Sequence, residues 1–443
     1  MATAPASATK APLANAPGPK GRFLLGSLIE VSRDWLGFYK NCADEYGDVV
    51  RVHLAHVPVY LVVHPRDIET VLVANAAKFT KSEDYRALAR VLGRGLLTSE
   101  GDFWKRQRGL IQPAFHRQSI LSYALVMTRA AGCMLDSWKE KVKRNIHEDM
   151  MRVTLEIVGQ CLYSAEVTDA AERVGHAMEV VTGRFIVNAS LAMLFRFDIP
   201  VRFAIREWRA IRELNEIIGG IIRERRSSGE PREDLLDMLL QARDADGNPM
   251  SDAQLRDEVM TLFLAGHETT AIALSWACYL IAQNPHIEAK LAQELQTVLA
   301  GRVPTPEDLP RLRYTEMVLK ETMRLYPAVW GIGRRALEDC ELGGYRVPAG
   351  SNVFILQWRT QRDPRFFPDP DRFDVTRADS KHIGFGAGPH VCIGSGLARR
   401  ELEVGLIALV RRFPNLRLSD SEPPRRRCET LVFRGFHSLP VHA

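Results

Sequence analysis

The chain has 443 residues, of which 46% are hydrophobic and 26% are charged, and its formal net charge is +5 at pH 7. This composition is typical of a globular protein, and so small a positive excess gives no case for nucleic-acid binding. The seven cysteines are scattered without a CxxC pair, which favours a reducing compartment. No uncharged apolar run reaches the ~18 residues that span a bilayer, and the N-terminus lacks the apolar core of a signal peptide. We therefore expect a soluble, cytoplasmic protein without a transmembrane anchor.

The N-terminal third contains the first structural signals. Residues 1–20 are rich in Ala and Pro and are predicted to be disordered. A β-rich run over 48–63, interrupted near Pro58, predicts a hairpin. Two later strand-like segments, 345–354 and 429–437, predict the rest of a small β portion. Most of the remaining chain has helical patterns.

Residues 101–108 place Trp104 and Arg108 one helical turn apart on the same face of a predicted helix. By itself, this spacing is typical of an amphipathic surface turn. Residues 165–230 follow as predicted helices joined by short loops. They contain a basic run at 223–226, which is most simply interpreted as the solvent-exposed face of a helix. These patterns alone identify no chemistry.

A long helix is predicted between Ser251 and Pro285. Ser251 followed by Gln254 forms a capping box, and Pro285 supplies the stop. About thirty residues at ~1.5 Å each would span roughly 45 Å, enough to cross a whole domain. The middle of the helix reads Ala265-Gly-His-Glu-Thr-Thr270. Its His-Glu pair is not an HExxH zinc helix, because Ala271 stands where the second histidine is required.

This central segment has two interpretations. Thr269 and Thr270 can simply bond back to the preceding helical turn, which bends a helix at little cost. Alternatively, small Ala265 and Gly266 leave room for a diatomic ligand. Glu268 beside Thr269 then supplies an acid and an alcohol for a proton relay.

The next predicted helix ends at Pro327 and carries Glu321 and Arg324 three residues apart on one face. Such a pair on an exposed helix contributes only about a few tenths of a kcal/mol. The segment Phe367-Pro-Asp-Pro-Asp-Arg-Phe373 follows downstream. The Glu-Arg spacing by itself is a weak motif.

The most informative stretch is Phe385-Gly-Ala-Gly-Pro-His-Val-Cys-Ile-Gly394. It places Cys392 in a glycine-rich turn before an amphipathic helix predicted over 397–413. A helix N-terminus favours a thiolate, the form that ligates metals, and the glycines permit a close approach to a flat cofactor. A lone cysteine in such a loop is usually an ordinary thiol. The run Gly384-Phe-Gly-Ala-Gly-Pro389 is not a nucleotide-binding GxGxxG motif, because a proline occupies its third glycine position.

Taken together, these five motifs resemble those of the cytochrome P450 family, in the same order, from about Pro19 to the C-terminus. The resemblance implies a mainly α protein with a small β lobe, folded as a single domain over 21–443. Heme b would lie between the long central helix and the helix that follows Cys392.

The resemblance also assigns roles to residues. Cys392 would be the axial ligand of the heme iron, with Glu268 and Thr269 catalytic. Arg372 would complete a structural charge network with Glu321 and Arg324. The other implied heme-binding residues are Trp104, Arg108, Ala265, Gly266, Arg334, Phe385, Gly386, His390 and Gly394. Those implied to shape the substrate pocket are Ala265, Ala328, Val329, Trp330 and Ile332. For the second heme propionate, Arg334 is preferred to Arg335 because of its spacing to Glu338-Asp339.

The implied function is that of a heme-thiolate monooxygenase, which activates O₂ and inserts one oxygen atom into a lipophilic substrate by hydroxylation or epoxidation. A fatty acid or a terpenoid is the expected substrate class. Because no flavin or iron-sulfur module follows residue 443, we expect electrons from NAD(P)H to arrive through a separate ferredoxin or flavodoxin and its reductase. Docking is expected on the cysteine side, near Lys105, Arg399 and Arg400.

Two alternatives share these motifs. A peroxide-dependent peroxygenase of the same fold would not need the relay of Glu268 and Thr269. A heme-binding sensor without turnover would have no use for it either. The acid-alcohol pair therefore favours the O₂-dependent monooxygenase.

Overall fold

The computed structural model describes residues 13–136, 138, 143–183, 204–232, 234–243, 247–378, 380–427 and 433–442. The chain forms two compact units. One comprises the described residues up to 82 together with 333–356, and the other comprises those of 83–332 and 357–443. No helix in the described ranges is long and apolar enough to cross a membrane.

The first unit is built on a five-stranded sheet of order β2-β3-β9-β6-β4. Its strands are β2 (Val49–Leu54), β3 (Val57–Val62), β4 (Phe79–Lys81), β6 (Ile332–Ala336) and β9 (Asn352–Ile355). Strands β2 and β3 form the antiparallel hairpin predicted from the sequence, and β9 runs parallel to β3. The hairpin turn lies at residues 55–56, where Ala55 has a φ of 55°, so Pro58 lies inside β3.

A second, three-stranded sheet orders the described part of the N-terminal segment. Its strands are β1 (Ala14–Asn15), β7 (Cys340–Leu342) and β8 (Tyr345–Val347), and β1 pairs in parallel with β8. The carbonyl of Pro17 also accepts a hydrogen bond of 2.7 Å from the amide of Arg51. The prediction of disorder is therefore wrong for residues 13–20, because backbone pairing holds them, whereas residues 1–12 lie outside the described residues. The first unit also contains helices α1 (Leu28–Tyr46) and α2 (Pro65–Glu69).

The second unit is mainly helical. Its helices are α3 (Tyr85–Leu92), α4 (Gly101–Ile111), α5 (Arg117–Asp136), α6 (Ile146–Tyr163), α7 (Ala171–Gly183), α8 (Ala204–Ser228), α9 (Leu235–Gln241), α10 (Asp252–Ala282), α11 (Pro285–Leu299), α12 (Arg313–Leu325), α13 (Gln357–Thr360) and α14 (Ser395–Arg412). Short strands β5 (Lys143–Asn145), β10 (Arg417–Leu418), β11 (Arg425–Arg427), β12 (Gly435–Ser438) and β13 (Pro440–His442) complete it. The predicted mainly helical protein with a small β portion is confirmed. Residues 184–203, in the predicted helical region, and 428–432, in the last predicted strand segment, lie outside the described residues.

Helix α10 is the long helix that the sequence predicts. The side chain of Ser251 caps it by accepting a hydrogen bond of 3.2 Å from the amide of Gln254. Its 31 residues correspond to about 46 Å. The helix is buried along most of its length, where it packs against α6, α12 and α14. It therefore forms the central element of the second unit.

Helix α14 begins three residues after Cys392 and ends just before Pro414. It packs against α5 and α10. At its crossing with α10, a Cβ on Gly405 would lie 3.1 Å from the side chain of Leu274, so the two helices approach closely. The cysteine loop is thus joined directly to a helix that contacts the central helix.

Candidate active site

The loop before α14 is held by backbone hydrogen bonds and by two glycines in left-handed conformations. The amide of Cys392 donates to the carbonyl of Phe385 over 2.9 Å. Gly386 has a φ of 72° and Gly388 a φ of 70°, a region where a side chain would be strained. The loop conformation that carries Cys392 therefore requires glycine at both positions.

The side chain of Cys392 is exposed, although protein atoms crowd around its sulfur. Burial raises its pKa, while the amide of Gly394 and the charges of Arg108 and Arg399 lower it. A bound metal ion removes the proton of a coordinating thiol outright.

Three residues predicted to contact heme propionates meet next to this thiol. The rings of Trp104 and His390 lie 4.0 Å apart between centroids. The guanidinium carbon of Arg108 lies 5.9 Å from the ring centroid of Trp104, and its Nη1 donates to the carbonyl of Val391 over 2.8 Å. Helix α4 and the cysteine loop therefore bring an indole, a guanidinium and an imidazole together beside Cys392, as donors suited to carboxylates.

Phe385 lies on the other side of the loop. The guanidinium carbon of Arg399 lies 5.1 Å from its ring centroid, a cation–π distance, and the ring of His382 is 5.9 Å away. Arg399 is exposed. A cationic side chain on the first turns of α14 therefore contacts Phe385, and its charge acts on the Cys392 thiol.

The predicted acid and alcohol occupy different environments on α10. Thr269 is partly exposed, and its hydroxyl donates to the carbonyl of Ala265 over 2.8 Å. Glu268 is only 1% exposed, and its Oε1 accepts a hydrogen bond of 2.6 Å from Nη1 of Arg427. Adjacent residues of a helix point about 100° apart, which explains the difference. Burial raises the pKa of Glu268, while the charge and hydrogen bond of Arg427 act in the opposite direction.

Arg427 was not found by sequence reasoning. It lies on β11, 159 positions after Glu268, in a run of three arginines with no feature that distinguishes its members. Its second nitrogen, Nη2, donates to the hydroxyl of Thr182 on α7. The pairing depends on how β11 packs, which no local pattern encodes.

Gly266 lies where α10 packs against α6. A Cβ at this position would lie 2.9 Å from Cγ2 of Val158, on α6. The small residue therefore allows α6 and α10 to pack closely, and its predicted role beside the heme stays a prediction. Ala265, in contrast, is exposed, and it remains a candidate for the heme and substrate side of α10.

The predicted pocket segment is only partly accessible. Ala328 is 6% and Trp330 1% exposed, so both are largely buried in the core, and their place in the pocket lining stays a prediction. The large Trp330 side chain is among the most completely buried in the chain. Val329 and Ile332 are partly exposed and remain candidates.

The structural charge network has a different third member from the one predicted. Glu321 and Arg324 are both fully buried, with Nε of Arg324 2.7 Å from Oε2 of Glu321. The side chain that completes the network is Arg377, whose Nε lies 3.0 Å from Oε1 of Glu321. Arg372 is exposed and offers only its carbonyl, to Arg324 over 3.4 Å and to Arg377 over 3.2 Å. The chain turns between 372 and 377, and this turn directs the later arginine inward.

The two candidate arginines on β6 lie in different surroundings. Arg334 is 7% exposed, and its Nη1 donates to the carbonyl of Gly333 over 2.8 Å. Arg335 is partly exposed, and its Nε donates to the carbonyl of Gly350 over 3.3 Å. The assignment of Arg334 to a propionate stays a prediction.

The donors around Cys392 fit heme. In the part of the chain that the structure describes, no cluster of three or more His, Cys, Asp or Glu side chains could hold a bare metal ion. A single accessible sulfur suits an iron whose remaining protein-independent ligands come from a porphyrin. Nearby Trp104, Arg108 and His390 offer donors for the porphyrin carboxylates.

Comparison with known proteins decides the family. The family model for cytochrome P450 matches residues 16–436. The chain belongs to the cytochrome P450 family. As a cytochrome P450 it is a heme oxidoreductase that incorporates oxygen from O₂ and takes reducing equivalents through partners.

Bacterial cytochromes P450 are among its relatives. The chain is 35% identical over 408 residues to cyclooctatin synthase of Streptomyces melanosporofaciens, covering 89% of this chain and 88% of the relative. It is 32% identical over 401 residues to cyclooctat-9-en-7-ol 5-monooxygenase of the same organism, covering 88% and 87%. It is 31% identical over 401 residues to pentalenene oxygenase of Streptomyces avermitilis, covering 88% and 89%.

Proposed function

We propose that this cytochrome P450 hydroxylates or epoxidises a terpenoid, with electrons supplied by a separate ferredoxin or flavodoxin and its reductase. The observation that carries the proposal is the meeting of Trp104, Arg108 and His390 beside the exposed thiol of Cys392. The names of the relatives that act on pentalenene and on cyclooctat-9-en-7-ol favour a terpenoid over a fatty acid.

Heme b would be held by Cys392 as a ligand of its iron, and Trp104, Arg108 and His390 would donate hydrogen bonds to its carboxylates. When bound, it supplies the centre at which O₂ is reduced. Phe385, whose carbonyl accepts a hydrogen bond from the amide of Cys392, would limit the access of water to the sulfur and so tune the redox potential of such a centre. These residues bind and orient, and none of them transfers a proton.

Proton delivery would depend on two residues of α10, Glu268 and Thr269. The Thr269 hydroxyl gives its own proton to the carbonyl of Ala265, so its oxygen is free to accept a hydrogen bond from water or from a reacting group. The second oxygen of Glu268, Oε2, has no hydrogen-bond partner among the described residues. Because burial raises the pKa of this carboxyl, it retains a proton at higher pH than an exposed glutamate and can act as a general acid.

Three accessible apolar residues of the predicted pocket support a lipophilic substrate. Ala265 is exposed, and Val329 and Ile332 are partly exposed. Alkyl and methyl groups offer contact to a hydrocarbon skeleton without any fixed polar partner. The same set would suit an aliphatic chain, so the choice of terpenoid depends on the relatives.

An acidic electron-transfer partner would dock where α14 begins. Arg399 is exposed and sits within cation–π distance of Phe385. Lys105 and Arg400 add positive charge, although each also contacts an acidic neighbour in its own helix. We expect Arg399→Glu to slow electron transfer and to weaken the dependence of its rate on salt. The control is Arg206→Glu, at an exposed position of α8, which should leave both the rate and its salt dependence unchanged. Equal rates in the two variants would reject this docking site.

The first test is the absorption spectrum of the reduced, heme-loaded protein under carbon monoxide. We expect the strongly red-shifted Soret band of thiolate ligation in the wild type and its loss in Cys392→Ser. A histidine-like wild-type spectrum would refute Cys392 as the ligand. Titration with terpenoid hydrocarbons and with fatty acids then shows which class shifts the spin state.

The second test separates the mechanisms. We expect product with NAD(P)H and surrogate redox partners, and little with peroxide alone. Product from peroxide alone would support a peroxygenase. Heme binding without turnover under either condition would support a sensor.

A further inference from the structure

The hairpin formed by β11 and β12 is anchored on α10 beyond the proposed acid. The carbonyl of Arg434 accepts a hydrogen bond of 2.8 Å from Nε1 of Trp276, and the ring of Phe436 lies 4.3 Å from that of Trp276. Gly435 approaches Ile272 so closely that a Cβ would lie 3.0 Å from its side chain. The hairpin is therefore a fixed platform on the same helix that carries Glu268.

Arg427, on β11 of this hairpin, lies in the protein interior. Arg427 is 8% exposed and Glu268 1% exposed, and their Nη1 and Oε1 atoms are 2.6 Å apart. The other nitrogen of the guanidinium donates to the hydroxyl of Thr182. That hydroxyl gives its own proton to the carbonyl of Met178 over 2.7 Å, so it can only accept from Arg427. Both ends of the guanidinium are thus fixed.

The other titratable groups in this region are two histidines and Glu401 of α14, whose carboxyl hydrogen-bonds Thr270 and whose pKa is raised by burial, which favours its neutral form. His147 on α6 lies 3.0 Å from the hydroxyl of Ser275, between its Nδ1 and Oγ. Burial, with the charges of Arg427, His437 and His267, lowers the pKa of His147 to about 3. Burial lowers the pKa of His267 to about 4. Both of these imidazoles are neutral near pH 7. The positive charge that acts on Glu268 at this pH is therefore that of Arg427.

We propose that Arg427 is a positioning residue for proton delivery: its guanidinium holds the buried Glu268 carboxyl in one orientation and keeps it able to release its proton. The inference rests on the proposed role of Glu268 as the acid. Without a cation, a buried carboxyl stays protonated and its proton is not available. With a cation on one oxygen only, the other oxygen remains free to exchange a proton.

The test is the titration of Glu268 in the heme-loaded enzyme by infrared spectroscopy. The protonated carboxyl has a C=O stretching band that is assigned by its loss in Glu268→Gln. The titration midpoint is the pH at which half of this band is lost. In Arg427→Gln we expect this midpoint to rise by about one to three pH units, the range by which an opposite charge shifts the pKa of a carboxyl. We expect Arg427→Lys, which keeps a cation but loses the fork, to give an intermediate midpoint.

A second readout is the amount of product formed per electron consumed, measured from pH 6 to 9. It should fall several-fold in Arg427→Gln and less in Arg427→Lys, with the carbon monoxide spectrum unchanged in both. Thr182→Val is the matched control, because it removes the anchor of Arg427 but leaves the contact with Glu268, and its midpoint should stay near that of the wild type.

An unchanged midpoint in Arg427→Gln would overturn the inference, as would a shift of equal size in Thr182→Val. If Arg427→Gln takes up no heme, Arg427→Lys decides: a raised midpoint supports the role, and a wild-type midpoint contradicts it. The infrared result does not require turnover. A wild-type enzyme without product would therefore count against the proposed function and not against this contact.

Discussion

The carboxylate of Glu321 is shared by two arginines, and the second of them is Arg377: its side chain is 9% exposed and its Nε lies 3.0 Å from Oε1 of Glu321. Arg324 binds both oxygens of the same carboxylate, with Nε 2.7 Å from Oε2 and Nη2 2.8 Å from Oε1. A fully buried carboxylate that binds two guanidinium groups fixes the geometry of α12 relative to the segment that contains Arg377. Loss of either arginine leaves a buried charge only partly compensated.

Arg377→Ala should therefore lower the free energy of unfolding by about 3 kcal/mol, as expected for a broken buried ion pair. Arg372→Ala is the matched control, because its exposed side chain contributes little, and its effect should stay within about 0.5 kcal/mol. Urea unfolding of the heme-loaded protein measures both. Similar losses in the two variants would contradict the assignment of the network.

Gly266→Ala should destabilise the contact between α6 and α10. The added methyl group would lie 2.9 Å from Cγ2 of Val158, and overpacking of this kind costs about 1–3 kcal/mol. Val158→Ala in the same chain should recover part of this loss because it creates space. Gly220→Ala on α8, where a Cβ meets nothing within 4 Å, should be neutral or stabilising. Thermal unfolding compares the four proteins, and a stabilised Gly266→Ala variant would reject the packing role.

Thr269→Ala should uncouple the enzyme, so that electrons are consumed with less product. The hydroxyl of Thr269 is partly exposed on the face of α10 that also carries exposed Ala265. Thr270→Ala is the control, since the Thr270 hydroxyl is buried and donates to the carbonyl of Gly266 over 3.1 Å. The measurement is product per NAD(P)H oxidised. An equal yield from Thr269→Ala and the wild type would exclude Thr269 from proton delivery.

Glu401 on α14 should make folding stability fall as pH rises. Burial raises its pKa well above the ordinary value of 4.5, against a smaller opposing effect of a hydrogen bond with Thr270. The folded protein therefore binds a proton that the unfolded chain releases above about pH 4.5. This contribution is complete below that pH and is lost as pH rises toward the folded pKa. Glu401→Gln should flatten the decline in unfolding free energy between pH 5 and 8, and an unchanged slope would contradict the assignment.

Local signals in the sequence were sufficient for several elements of the fold. The cap at Ser251 and the stop at Pro285 predicted α10, and the glycines around Cys392 predicted the turn that precedes α14. Trp104 and Arg108 were recognised from one helical turn of sequence together with the family resemblance. Such signals act over a few residues, where backbone sterics and capping dominate.

The sequence by itself thus determined the family, the long central helix and the cysteine loop. Only the tertiary structure decided that Arg377 rather than Arg372 reaches Glu321, that Arg427 pairs with Glu268, and that Trp330 belongs to the core. Each of these outcomes depends on which faces of distant elements meet. The free energy of burying a charge or a large ring depends on neighbouring residues that come from distant parts of the chain. The spacing of residues along the sequence does not identify these neighbours.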